Sequence, residues 1–429
     1  MNTQLLMHVQ MSRHGIVSRR GFLRSVSAGA AAAGLLGWKE AVTIHAEELR
    51  KQGMACILLF MQGGPSQFET FDPKPGHDNG GPTKAIETAV PGIQIAEHWP
   101  EVAKQMKDIA LIRSMTNREG AHARAAYQLH TGYVPSGAVK YPSLGSIVAN
   151  EIGPKDFDLP GFVSIGSRRF LVGAGFLGTR VAPFAVDDPQ RMPNNVSLPV
   201  ADSRFQRRLR LLGDLEDDFA SAGGGPRVAE HRQLYDNASR MVRSPRIKAF
   251  DISQESDKTR DRYGRNAFGQ GCLLARRLVE AGVTFVEVMQ NGWDTHQDNF
   301  TRVQTLSSQA DPALAALIAD LKERGRLDKT LIIWMGEFGR TPRINARTGR
   351  DHYPRAFSLL LAGGGIKGGQ VIGKTSNDGT DVVERPVTVP DLFCTFYRAL
   401  NINPRKENIS DLQRPIKLIE GGSEIKELL

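Results

Sequence analysis

A chain of 429 residues, 40% apolar and 24% charged, has the material for a sizeable buried core in one large domain or two ordinary ones. The formal charge is +9, but residues 1–46 hold five basic side chains and one acidic, or +4, which leaves +5 for the rest. That mild excess makes no case for nucleic acid and is compatible with an anionic substrate. Cys56, Cys272 and Cys394 lie far apart in apolar runs without CxxC spacing, which excludes a cysteine zinc site or redox pair and predicts buried free thiols.

The first element in the chain is an address. Ser18-Arg-Arg-Gly-Phe-Leu-Arg24 sets paired arginines ahead of a small-residue apolar stretch over 28–38, and this resembles a twin-arginine export signal. The stretch is short and rich in Ala and Gly, so no permanent membrane span is expected. Residues 1–46 are read as the signal, with the twin-arginine export machinery as partner and cleavage near Ala46. Residues 47–429 are read as a single domain of a periplasmic or extracellular protein.

The first core strand is predicted over 55–61, and it runs into Gln62-Gly-Gly-Pro-Ser66. The paired glycines allow close backbone approach, but no P-loop follows. A helix over 101–106 leads to a strand over 109–113. The polar turn after it feeds a short helix with His122 near its start and Gly132 as its C-cap. His130, at the far end of that helix, is read as a surface or packing residue. A helix over 141–150 and a strand over 162–165 follow. Residues 180–260 read as an insert: a Pro- and Asp-rich loop, then a charged helix over 204–219 that is broken at 221–226, with His231 solvated.

The pattern then sharpens. A helix over 266–281 precedes a β-branched and aromatic run, 283–289, which reads as a buried strand. Asp294 and His296 stand just past its end, where open α/β sheets place their ligands. A helix is predicted over 311–324. The strand over 330–335 ends in Gly336-Glu-Phe-Gly-Arg340, and Arg350-Asp-His-Tyr-Pro354 precedes a strand over 357–361. An amphipathic helix over 389–400 closes the regular part. On spacing alone, Asp294, His296 and His352 are either ligands for zinc, iron or manganese or a hydrogen-bonded surface feature.

Four motifs behind the twin-arginine start carry a family resemblance: Met61-Gln-Gly-Gly-Pro-Ser66, Asn291-Gly-Trp-Asp-Thr-His296, Gly336-Glu-Phe-Gly-Arg-Thr-Pro342 and Asp351-His-Tyr-Pro354. Together they resemble the alkaline phosphatase superfamily, which includes sulfatases and cofactor-independent phosphoglycerate mutases. The closer likeness is to its exported branch, called domain of unknown function 1501, from about residue 55 to residue 403. The resemblance implies a three-layer α/β/α fold with a mostly parallel central sheet. It also implies two metals flanking a nucleophile at the C-terminal edge of that sheet.

In this chain Asp294, His296 and His352 match the ligands of one metal in type and order. The other site departs from the pattern. Gln62 stands where an Asp is expected after the first strand, and Glu337-Phe338 stands for an Asp-His pair. The nucleophile position, counted back from Thr131-Gly132, falls on His122, and the formylglycine signature is absent. The resemblance therefore implies one retained divalent metal, zinc first, with iron, manganese or calcium as alternatives. His122 is left open as a third imidazole ligand, a general base or a phosphohistidine-type nucleophile, and Glu337 is expected in the same cleft. Gln62, Arg124 and Arg340 are candidates to hold the substrate's anionic group. The expected function is metal-dependent hydrolysis of sulfate or phosphate esters. The competing expectation is a non-catalytic protein of the same fold that binds a metal, a glycan or an anionic polymer.

Overall fold

The run Ala55–Met61 is apolar throughout, and all seven of its residues are buried. Successive side chains of a strand point to opposite faces, so a run without alternation needs cover on both sides. The computed structural model, which describes residues 53–429 apart from Ala138 and Lys155, supplies that cover. Ile57, Leu59 and Met61 enter one apolar layer with the helices Ala267–Glu280 and Asn299–Glu323. Cys56, Leu58 and Phe60 enter the opposite layer with His122–Thr131, Leu144–Ile152 and Val389–Ala399. The expected three-layer α/β/α arrangement is thus built on one strand. The export signal read over 1–46 lies outside the described residues.

Eight strands form the central sheet: β1 (Ala55–Met61), β2 (Ile109–Met115), β3 (Phe162–Ile165), β4 (Phe184–Val186), β5 (Phe285–Gln290), β6 (Thr330–Met335), β7 (Phe357–Ala362) and β8 (Gln370–Ile372). Their order across the sheet is β8-β2-β7-β6-β1-β5-β3-β4. Only β7 runs against its neighbours, β2 and β6; the remaining pairs are parallel. Phe60 of β1 is in register with Met289 of β5 and Met335 of β6. The chain therefore leaves β1, β5 and β6 side by side. Because β7 is reversed, the residues that precede it, Asp351 and His352, arrive at that same edge.

Two elements differ from the sequence reading. The helix predicted over 311–324 spans Asn299–Glu323 and carries Pro312 inside it. Proline removes one backbone donor and reads as a helix start, but the apolar positions Val303, Ala310, Leu314 and Leu317 keep one face buried across it. The region read as an insert holds a helical hairpin, Asp202–Phe219 and Gly225–Arg243, joined through Ala220–Gly224. The cysteines match the expectation, all three being free and buried. His130 is a packing residue: its ring lies against Phe60, and its Nε2 is 2.6 Å from buried Glu287. His231 is not merely solvated but pairs with Glu216. Among the described residues, no helix is long and apolar enough to cross a membrane.

Asp311 is a buried carboxylate inside the long helix. It accepts the backbone N–H groups of Glu101 (2.9 Å) and Val102 (2.7 Å), and so caps the short helix Pro100–Lys104, which has no side-chain cap of its own. Burial pushes its carboxyl up to about 6, against the bonds from Val102 and Glu101. A folded-state value above the unfolded one means that the folded chain holds the proton more tightly. This group's contribution is then complete below about pH 4 and is lost as pH rises through about 6. Urea unfolding should show the stability difference between wild type and Asp311→Asn falling by on the order of 2 kcal/mol from pH 4 to pH 7. Asp311→Ala, which orphans both N–H groups, should cost about 1–3 kcal/mol.

Candidate metal centre

The loop after β1 and the loop after β5 touch at the backbone. Gly63 has φ +117°, and a Cβ there would lie 2.3 Å from Asp294 N. Only glycine tolerates both that φ and that approach. The Gly63 N–H donates to Glu337 from the loop after β6, at 2.9 Å to Oε1. Beneath the second loop, Trp293 is fully buried against Trp99 and Trp334. That anchor holds Asp294 at the sheet edge.

Three imidazoles converge on the Asp294 carboxylate. His122 Nε2 lies 3.2 Å from Oδ2, while His296 Nε2 and His352 Nε2 lie 3.1 Å and 3.3 Å from Oδ1. Each ring has its other nitrogen on an acceptor. His122 Nδ1 meets buried Glu337 at 2.6 Å, His296 Nδ1 meets Asp351 at 2.8 Å, and His352 Nδ1 meets the Gly120 carbonyl at 2.8 Å. A ring that donates from Nδ1 presents a lone pair at Nε2, the arrangement that fixes metal-ligating histidines. His296 Nε2 and His352 Nε2 are 3.0 Å apart. As neutral rings, both of these nitrogens would be acceptors, so a proton or a cation must lie between them. His122 Nε2 is buried and, among the described residues, makes no hydrogen bond beyond that 3.2 Å approach to Asp294.

Asp294 and His352 are held in the protonation states that a metal ligand needs. Burial works to raise the Asp294 carboxyl, but the Arg340 guanidinium and the flanking imidazoles hold it down at about 2. Burial lowers the pKa of His352, and Arg340 lowers it further, which favours the neutral imidazole that a metal requires. His122, Asp294 and His352 bring one ligand atom each within 4.8 Å of one another. His296 adds a fourth donor beside them. Three imidazoles and one carboxylate suit zinc or iron, whereas calcium takes oxygen ligands, so the donor set fits calcium poorly.

The site opens into a cleft of about 300 Å³ lined by Gln62, Gly63, His122, Ser167, Arg169, Phe170, Asn291, Gly292 and Asp294. Gln62 is where the sequence places it, at the cleft wall, with its side-chain Oε1 buried and unpartnered. Arg340 and Arg124 are not there. Arg340 is fully buried, and all its nitrogens are bonded to protein: Nε to Gly64 O, Nη1 to Arg350 O, and Nη2 to Gly63 O and Asp294 Oδ1. It positions Asp294 rather than reaching a substrate. Arg124 is half exposed and turned to Glu119 in a bidentate pair at 2.8 Å. The basic side chain in the cleft is Arg169, exposed and 5.2 Å above the Phe170 ring. Sequence reading missed Arg169, because nothing in Gly166-Ser-Arg-Arg-Phe170 marks it except its place after β3. It also missed the role of Asp351, although the neighbouring His352 pointed there. Phe338 packs against His122 and His352, with ring centroids at 4.9 Å and 4.5 Å, and forms a wall where a ligand pair was sought.

Residues 54–429 match the model of one protein family, described as "Protein of unknown function (DUF1501)". The chain belongs to this family. No curated protein matches it. Among solved structures it is similar to the lipoteichoic acid synthase LtaP from Listeria monocytogenes, at 10% identity and a TM-score of 0.40 over 88% of this chain and 76% of that one. It is also similar to the PsFucS1 sulfatase from Pseudoalteromonas sp., at 14% identity and 0.40 over 83% and 70%. A third likeness is the C-terminal periplasmic domain of EcEptC from Escherichia coli, solved with Zn, at 9% identity and 0.38 over 85% and 92%. At such scores these likenesses carry nothing about the chemistry of this DUF1501 chain, which rests on its own residues.

Gly63→Ala should therefore strain this edge directly. We expect a loss of about 2–4 kcal/mol in chemical unfolding from the forbidden φ and the clash with Asp294 N. Gly213→Ala, in a helix interior with open space around it, should be neutral or stabilising by about 1 kcal/mol.

Proposed function

We propose that this DUF1501 chain is an exported, metal-dependent hydrolase of the alkaline phosphatase superfamily that acts on sulfate or phosphate esters through one divalent ion, zinc first. The observation that carries the reading is the convergence of three acceptor-backed imidazole Nε2 atoms on Asp294. Asp294, His296 and His352 are the proposed ligands. A divalent ion there supplies a Lewis acid and, in zinc sites, brings the pKa of a bound water to about 7.

The chain's own groups supply the rest. Glu337, held by the Gly63 N–H, accepts from His122 Nδ1 and turns the Nε2 lone pair, 3.2 Å from Asp294 Oδ2, toward the cleft wall, where it can take a proton. That is the geometry of an oriented general base. Arg169, whose guanidinium makes no ion pair among the described residues, is placed for the ester's anionic group, and Gln62 offers a buried amide beside it. Export to the periplasm or beyond rests on the arginine pair Arg19 and Arg20 ahead of the apolar stretch.

One observation favours a second reading. His122 Nε2 is as close to Asp294 as the other two rings are. As a fourth ligand it would close the coordination sphere, as structural zinc sites do. The protein would then be a non-catalytic binder of metal, glycan or anionic polymer.

Metal analysis of purified protein beside Asp294→Ala, His352→Ala and His122→Ala, together with turnover of aryl sulfates and aryl phosphates, separates these readings. The hydrolase reading predicts about one ion per chain, lost in the first two variants and kept in His122→Ala, with turnover falling about 100-fold or more in that variant. Arg169→Ala should raise KM for the ester about tenfold with little change in kcat, since it removes a binding contact. Loss of the ion in His122→Ala, with no turnover by the wild type, would establish the closed site instead.

A further inference from the structure

Among the described residues, the hairpin helix Asp202–Phe219 leaves one face without a partner. Its inner side is set by Asp202, Glu216 and Asp217, which pair with Arg243 at 3.0 Å and with Arg232 at 3.0 Å and 2.6 Å on the second helix. At 3.6 residues per turn, Arg204, Leu211, Leu215 and Asp218 lie about half a turn away from that side. Leu211 and Leu215 are both 60% exposed and Phe219 is 57% exposed, one turn apart along the helix. Scattered exposed leucines need no explanation, but a helical stripe of them does.

Charge along this face is segregated. Arg204 and Arg207 lie in the first half of the helix, and Asp214 and Asp218 in the second. Arg204, Arg207, Asp214 and Asp218 are exposed, and among the described residues none of them makes an ion pair within the chain. A face that is basic in its first half and acidic in its second, with exposed Leu211 at the middle, is complementary in charge to itself when reversed.

We propose that this face docks antiparallel on the same face of a second copy, about a two-fold axis near Leu211. Leu211 then meets its counterpart, Arg204 meets Asp218 of the other copy, and Arg207 meets its Asp214, each pair occurring twice. Such an isologous contact is self-limiting and gives a dimer, not a filament. The helix has 18 residues, so it is about 27 Å long. The covered face falls short of the roughly 800 Å² per partner of a standard interface. The dimer is therefore a weak one, and its charge pairs weaken with salt.

Sedimentation equilibrium of the purified chain from about 1 μM to several hundred μM tests this. Wild type should show a reversible monomer–dimer equilibrium that weakens at high salt. Arg204→Asp with Arg207→Asp makes the face acidic, and Asp214→Arg with Asp218→Arg makes it basic. Each double variant alone should associate at least tenfold more weakly, with an unchanged thermal midpoint. Mixed one to one, they should pair at least as tightly as wild type, because every contact is again of opposite sign. Three results would each overturn the proposal: a wild type monomeric throughout, double variants that associate as wild type does, or a mixture that stays monomeric.

Discussion

One half-exposed carboxylate organises the functional edge of this protein. Asp294 takes the Arg340 guanidinium at 2.6 Å on Oδ1, and both of its oxygens face imidazole nitrogens. Arg340 is fully buried, and a buried guanidinium needs a charge partner as well as acceptors. It finds the acceptors in the carbonyls of Gly63, Gly64 and Arg350. The same contact therefore fixes the carboxylate's position and ties together the loops after β1, β5 and β6.

The fold converts that local contact into a site. Parallel β1, β5 and β6 deliver Gln62, Asp294 and Glu337 to one edge, and the reversed β7 delivers His352 to it. Residues Gly339–Arg340 and His352–Tyr353 pair as a two-residue ladder, which sets His352 directly opposite Arg340. A fully buried pair, Arg350 and Glu69 at 2.8 Å, braces the intervening loop, and Phe68 stacks beneath the guanidinium. These ionic contacts fix Asp294 and the loop that carries His352.

Much of this was legible in the sequence because the signals are local. Apolar runs over 55–61 and 330–335 give strands that need cover on both faces, and the strand ends announce Asp294, His296, Glu337 and His352. His122 was found by counting back from Gly132, which caps its helix at φ +80°. What stayed hidden depends on burial and on distant partners. Arg340 and Arg124 read alike as cations near motifs, yet one is enclosed by three carbonyls and the other is held by Glu119. Arg169 follows a short strand in an unpatterned stretch, and only the packing of β3 beside β5 brings it to the cleft. The long helix through Pro312 was cut short because local propensity outvoted a buried face that spans the proline.

The central claim is that Asp294, His296 and His352 are metal ligands and not a hydrogen-bonded cluster. X-ray absorption at the metal edge of the purified protein tests it most directly. The account predicts a first shell of two imidazole nitrogens at about 2.0–2.1 Å and one or two oxygens at about 2.0–2.2 Å, retained in His122→Ala, which keeps the ion. An oxygen-only shell, or one that loses an imidazole nitrogen in His122→Ala, would contradict it.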